Sequence, residues 1–193
     1  MGGGGLRSRP SVTRVVRVHR PGPPEVLEID EIEVGEPGPD EVRIQVEAIG
    51  LNRAEAEFRA GRYLREAPQL PARIGFEAAG IVEAIGSDVE GIEPGEAVGT
   101  LPALPMDRYG VYAERVILPA SAVVKSPAGV SSVEAAAIWM QYLTAYGALI
   151  DVAKLRSSET VVITAASSSV GLAAIQIANV VGAVPVAATR TSA

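Results

Sequence analysis

The strongest constraint on this chain comes from one stretch near its end. Residues 160–165 form a short apolar run, and Ala165-Ala166-Ser167-Ser168-Ser169-Val170-Gly171 is a tight series of small residues. Residues 167–181 then read as a helix and residues 184–188 as a second strand. A continuous apolar strand suits a parallel sheet covered on both faces. Strand, tight turn, helix, strand is a βαβ unit, and parallel strands need such a crossover. Doubly wound nucleotide-binding folds use two such halves. Only one is visible, so the chain is expected to stop before a nucleotide-binding domain is complete.

A loop that cradles a dinucleotide needs small residues for three reasons. The turn is tight, the backbone must approach the pyrophosphate, and the helix must pack close to the strand. Ala165, Ser168 and Gly171 meet these needs with an A-x-x-S-x-x-G spacing. Backbone N–H groups at the helix start would bind phosphate, and the hydroxyls of Ser167, Ser168 and Ser169 could add donors. Val170 completes the candidate loop. The same pattern also fits a small-residue turn that carries no ligand. Near the end of the second strand, NAD sites place an acid for the ribose 2′-hydroxyl. Here Arg190, Thr191 and Ser192 stand in its place. A guanidinium suits a 2′-phosphate, so NADPH is the expected cofactor. The alternative is an arginine that is merely solvated.

The preceding part of the chain is built differently. Residues 14–18, 27–34, 80–85 and 111–118 are strand-like, and residues 41–49 alternate clearly, with Val42, Ile44 and Val46 on one face. Turns rich in Gly and Pro separate them, as at Pro21-Gly22-Pro23-Pro24 and Glu93-Pro94-Gly95-Glu96. Many short strands with such turns suggest a β-barrel-like domain. A short helix is expected over residues 52–59 with Asn52 as its N-cap. Ser131 and Glu134 have capping-box spacing, and a long buried helix is expected from there to about Asp151. The organisation is therefore a leader over residues 1–12, a β domain over 13–130 and a partial nucleotide-binding domain over 131–193.

Composition narrows the chemistry. The net charge is −6 and no basic cluster stands out, which argues against nucleic-acid and anionic-membrane partners. There is no Cys, so disulfides and thiolate catalysis are excluded. The single histidine, His19, beside the Pro21–Pro24 turn, reads as a surface residue. The Gly-rich start has no apolar signal region, and the longest apolar stretch is too short and too polar for a membrane span. The cytoplasm is the expected location.

Three segments carry a resemblance. Gly50-Leu51-Asn52 through Arg59-Ala60-Gly61-Arg62-Tyr63 resembles the G-L-N-x-x-D-x-x-x-R-x-G-x-Y stretch of quinone oxidoreductases. So does Pro71-Ala72-Arg73-Ile74-Gly75-Phe76-Glu77, continuing to Val82, and so does Leu143-Thr144-Ala145-Tyr146 followed by the small-residue loop. The chain thus resembles the medium-chain dehydrogenase/reductase superfamily, over roughly residues 13 to 193. The resemblance implies a mixed α/β chain, a GroES-like β-barrel domain followed by an incomplete Rossmann βαβ unit. Zinc-dependent members place a ligand histidine in G-H-E. Here the motif reads Gly75-Phe76-Glu77, so no zinc site is expected and Glu77 is read as a structural carboxylate.

By the same resemblance, the implied chemistry is hydride transfer from NADPH to a quinone or an α,β-unsaturated carbonyl. Asn52 and Tyr63 would line the substrate cleft as catalytic residues, Tyr63 donating to the carbonyl oxygen, and Thr144 would lie near the nicotinamide. Packing or capping roles remain open for Tyr63 and Asn52. A tyrosine common in this family's site falls at Glu57. A homodimer is expected of the complete protein. The rival expectation is a non-catalytic dinucleotide-binding protein or an inactive truncated fragment.

Overall fold

A computed structural model describes residues 11–63 and 69–190. The chain divides into two units, Met1–Ala136 and Ala137–Ala193. In chain order, the first contains β1 (Ser11–Val18), β2 (Leu27–Val34), β3 (Glu41–Gly50), α1 (Arg53–Arg59), β4 (Ala72–Arg73), β5 (Glu77–Ile85), β6 (Ala97–Thr100), α2 (Met106–Tyr109), β7 (Arg115–Pro119), β8 (Val123–Lys125) and α3 (Ser132–Ala135). The second contains α4 (Trp139–Tyr146), a π-helical turn (Gly147–Val152), β9 (Thr160–Thr164), α5 (Ser169–Val181) and β10 (Val184–Ala188).

In the first unit, β1 lies between β2 and β4 in one sheet, and a second sheet runs β7-β3-β5-β6-β8. Strand β3 shows why the sequence folds this way. Val42 and Ile44 are fully buried while Gln45, Glu47 and Ile49 are exposed. That is the period of two expected of a strand with one wet face. Val18, Ile74, Val82, Val98, Val116 and Leu118 join them in one core. Each such side chain contributes about 1.5–3 kcal/mol by leaving water. Residues 11 and 12, expected in the leader, open β1 and pair with Val34 and Glu33. The rest of the expected leader, residues 1–10, lies outside the described residues.

The second unit is the βαβ unit read from the sequence. β9 and β10 are parallel, with Val162 opposite Val186. Helix α5 ends at Gly182, whose φ of 81° is a left-handed value that glycine adopts freely.

One expectation needs correction. The single long helix from residue 131 to about 151 is instead α3, a break at residues 136–138, and α4 followed by the π-helical turn. The break falls where the chain passes between units. Ala135 and Ala136 are buried with Ala79 in the first unit, while Ala145 is buried with Ile163 and Ala173 in the second. Strand β9 has the apolar run of a strand suited to cover on both faces, but with one crossover helix one face is expected to stay open, and it does. Ile163 is buried on the α5 side, but Val162 on the other is 64% exposed. Among the described residues of this unit, helices cover one face of the two-stranded sheet.

Candidate functional site

The site in the first unit is organised around α1. Asn52 is its N-cap, as expected, and Glu55 at the third helical position accepts from the Asn52 N–H at 2.5 Å. Glu55 is buried at 4% exposure, and no cation pairs with it among the described residues. Donors replace the cation. Glu55 accepts from the Phe76 N–H at 3.0 Å and from the Tyr112 hydroxyl at 2.6 Å. Burial, and then the hydrogen bond to Glu55, push the Tyr112 phenol well above its ordinary range. The phenol therefore stays a donor at any working pH. Gly75 makes this packing possible. Its φ is 106°, and a Cβ there would lie 2.3 Å from the Tyr112 ring.

The Asn52 amide joins this network. Its nitrogen donates to Glu77 at 3.2 Å and, more weakly, to Glu55 at 3.4 Å. Facing two carboxylates fixes which end is the nitrogen, since an amide oxygen there would meet only acceptors. The structure thus ties Asn52 to Glu55 and Glu77, and its amide hydrogens are already engaged.

Tyr63 stands elsewhere, in a pocket of about 320 Å³ lined by Phe58, Phe76, Leu104, Met106 and Asp107 among others. Its ring lies 6.4 Å from Phe58, edge to face, and 6.2 Å from Phe76. Its hydroxyl has no hydrogen-bond partner among the described residues. Asn52 is not part of this lining. Phe76, at the position of the ligand histidine in zinc-dependent relatives, contributes a ring to the pocket wall. Sequence reasoning missed Phe58, Leu104, Met106 and Asp107. For Leu104 and Met106 the signal was the run Leu101–Met106, where apolar residues alternate with prolines and match neither a strand nor a helix; Phe58 and Asp107 lie outside it. Glu57, where the family often has tyrosine, is ion-paired with Arg62 at 3.0 Å and Arg53 at 3.3 Å. The Arg62 hydrogen bond, ahead of its charge, holds the Glu57 carboxyl below the usual range.

The second unit presents the small-residue loop. Ser168 caps α5, its hydroxyl accepting from the Gly171 N–H at 3.1 Å. The Ser169 and Val170 N–H groups have no partner among the described residues, which leaves two donors at a helix start. Ser167, Ser168 and Ser169 are exposed. A Cβ on Gly171 would lie 2.7 Å from the Ala165 oxygen and from the Ala166 Cα, so only glycine allows this close approach of helix to strand. Ala165 has φ 48°, a left-handed value unusual for a residue with a side chain. These features fit a dinucleotide phosphate: free donors, no acidic side chain in the loop, and a backbone bared by small residues. Thr144 lies exposed on α4, which packs on α5, and its hydroxyl donates to the Met140 carbonyl oxygen at 2.6 Å. Arg190 is exposed, without a partner among the described residues. Thr191 and Ser192 lie outside them.

His19 is half-buried rather than a free surface residue. Its Nε2 lies 3.1 Å from both Asp30 oxygens and 4.0 Å from Glu28. His19, Glu28 and Asp30 lie close enough to share an ion, but Arg17 already pairs with Asp30 at 3.3 Å.

A GroES-like barrel followed by the first βαβ unit of a nucleotide-binding sheet is a dehydrogenase/reductase architecture. Residues 38–128 match the alcohol dehydrogenase GroES-like domain. The chain belongs to the medium-chain dehydrogenase/reductase superfamily. It is 40% identical over 161 residues to the quinone oxidoreductase of Pseudomonas aeruginosa, covering 83% of this chain and 48% of that protein. The quinone oxidoreductase structure from Pseudomonas syringae pv. Tomato DC3000 superposes with a TM-score of 0.82 at 34% identity, over 91% of this chain and 52% of that one. The Escherichia coli quinone oxidoreductase, solved in complex with NADPH, gives a TM-score of 0.80 at 31% identity over 93% of this chain and 53% of that one. The chain spans about half the length of the curated relatives it matches.

Proposed function

We propose that this chain forms the acceptor-binding domain and the first nucleotide-binding half of a zinc-independent NADPH:quinone or enone reductase. The observation that carries the reading is the Tyr63 hydroxyl, without a partner among the described residues, in a pocket walled by Phe58 and Phe76. When bound, the nucleotide supplies a hydride to a conjugated acceptor. The rings of Phe58 and Phe76 hold a planar acceptor and exclude water. The Tyr63 hydroxyl donates a hydrogen bond to the acceptor's carbonyl oxygen, where charge develops on reduction. In the second unit, the Ser169 and Val170 N–H groups hold the pyrophosphate with the hydroxyls of Ser167 and Ser168, and Arg190 meets the 2′-phosphate. Thr144 lies by the nicotinamide. Asn52 acts through its ties to Glu55 and Glu77. The protein works in the cytoplasm on a small molecule, with no nucleic-acid or membrane partner, and the complete protein is a homodimer. Its acidic net charge of −6 agrees with the first two exclusions. No helix of the described residues is long and apolar enough to cross a membrane.

The test is quinone-dependent loss of NADPH absorbance, for the wild type and for Tyr63→Phe. The substitution is expected to lower kcat/KM by roughly 100–1000-fold, the scale of one lost donor to a developing oxyanion. Turnover that is indifferent to Tyr63 would remove the assigned role. A protein that binds neither NADPH nor a quinone would remove the reading itself.

A further inference from the structure

We infer that Asp107 selects acceptors by charge: the pocket beside Tyr63 admits neutral planar acceptors and disfavours anionic ones. The inference rests on the reading of this pocket as the acceptor site. Its walls are Phe58, Phe76, Leu104, Met106 and prolines, and Asp107 is the one charged side chain among the described lining residues. Asp107 is partly buried. It has no hydrogen bond or ion pair among the described residues, and no cation among them offsets its charge. Arg108, the adjacent cation, stacks on the Tyr109 ring at 5.0 Å and lines a different pocket with Glu33 and Glu41.

An apolar wall lowers the local dielectric, so a second negative charge entering here is repelled more strongly than in water. The phenol of Tyr63 can orient an acceptor oxygen, but it cannot neutralise a sulfonate or a carboxylate. The chain's overall charge of −6 adds repulsion of the same sign at longer range. The chemical class taken is thus an uncharged quinone or enone, and enones that carry an acidic group near the reacting ring are poor ligands.

Equilibrium dialysis of the chain against an anthraquinone sulfonate and its neutral hydroxymethyl analogue measures this directly. Wild type is expected to prefer the neutral compound. Asp107→Asn is expected to reduce that preference about ten-fold, equal to about 1.4 kcal/mol, and Asp107→Lys to reverse it. Circular dichroism and a thermal transition on each variant keep misfolded protein out of the comparison. Neutral binding with a preference that neither substitution changes would overturn charge selection while leaving the acceptor pocket standing. If the neutral quinone does not bind, or binds Leu104→Glu as well as wild type, both the selection and the pocket assignment fall.

Discussion

The Tyr112 hydroxyl donates a 2.6 Å hydrogen bond to the buried carboxylate of Glu55. With the Asn52 and Phe76 N–H groups it lets a carboxylate remain inside the first unit without a cation among the described residues. Removing one such donor leaves the charge under-solvated. Tyr112→Phe is expected to cost about 1.5–3 kcal/mol, the scale of a hydrogen bond to a charged group. Urea unfolding monitored by circular dichroism should show the midpoint fall; an unchanged midpoint would mean that water replaces the phenol.

Ala165 sits in the left-handed region at φ 48°. That conformation costs a residue with a Cβ roughly 1–2 kcal/mol, and glycine escapes it at an entropic cost of about 0.5–1 kcal/mol. Ala165→Gly is therefore expected to stabilise the second unit by about 1 kcal/mol and to raise its thermal midpoint by a few degrees. A lower midpoint would show that the methyl group makes contacts worth more than the strain.

Arg190 is exposed, and no acidic residue stands between it and the end of β10. Arg190→Glu is expected to weaken NADPH binding by roughly 1–3 kcal/mol, through a lost charge-assisted contact and added repulsion. NADH binding should change far less. Isothermal titration with both nucleotides reads the difference, and equal affinities in the unsubstituted protein would remove the basis for NADPH preference.

The chain has no Cys, and Phe76 occupies the histidine position of the zinc-dependent motif. Protein purified without chelator should carry well under one zinc per chain by elemental analysis. Any residual metal should disappear in His19→Ala, since His19 with Glu28 and Asp30 is the grouping of metal-type ligands found among the described residues. Stoichiometric zinc surviving that substitution would contradict the assignment.

Val162 and Val186 lie side by side on the uncovered face of the β9–β10 sheet, 64% and 45% exposed. An apolar strip of this kind favours self-association. Size-exclusion chromatography of the 193-residue chain should show concentration-dependent oligomers, and Val162→Lys should shift them toward monomer. A monomer at all concentrations in the unsubstituted chain would show that the strip is too small to drive association.

The sequence determined what depends on local chemistry. Alternation in residues 41–49 defined β3 because a strand's side chains change face at every residue. The small residues from Ala165 to Gly171 defined a tight strand–helix turn because only they allow backbones so close. The absence of Cys and the Phe in Gly75-Phe76-Glu77 were legible as a departure from the zinc-dependent motif before any fold was known.

Tertiary structure decided what depends on partners distant in the chain. Asn52 was legible as a helix cap, but only folding brought it to Glu77, twenty-five positions away, and committed its amide hydrogens to carboxylates. Asp107 carried no local signal. It became a candidate selector when α2 brought it to the pocket wall with Tyr63 and Phe76. The helix expected to run unbroken to Asp151 was divided because burial of Ala135 and Ala136 in one unit and of Ala145 in the other imposed different packing on the two segments. Propensity and periodicity report a residue's immediate neighbours along the chain. Burial and hydrogen-bond pairing are set by residues that only the fold brings together.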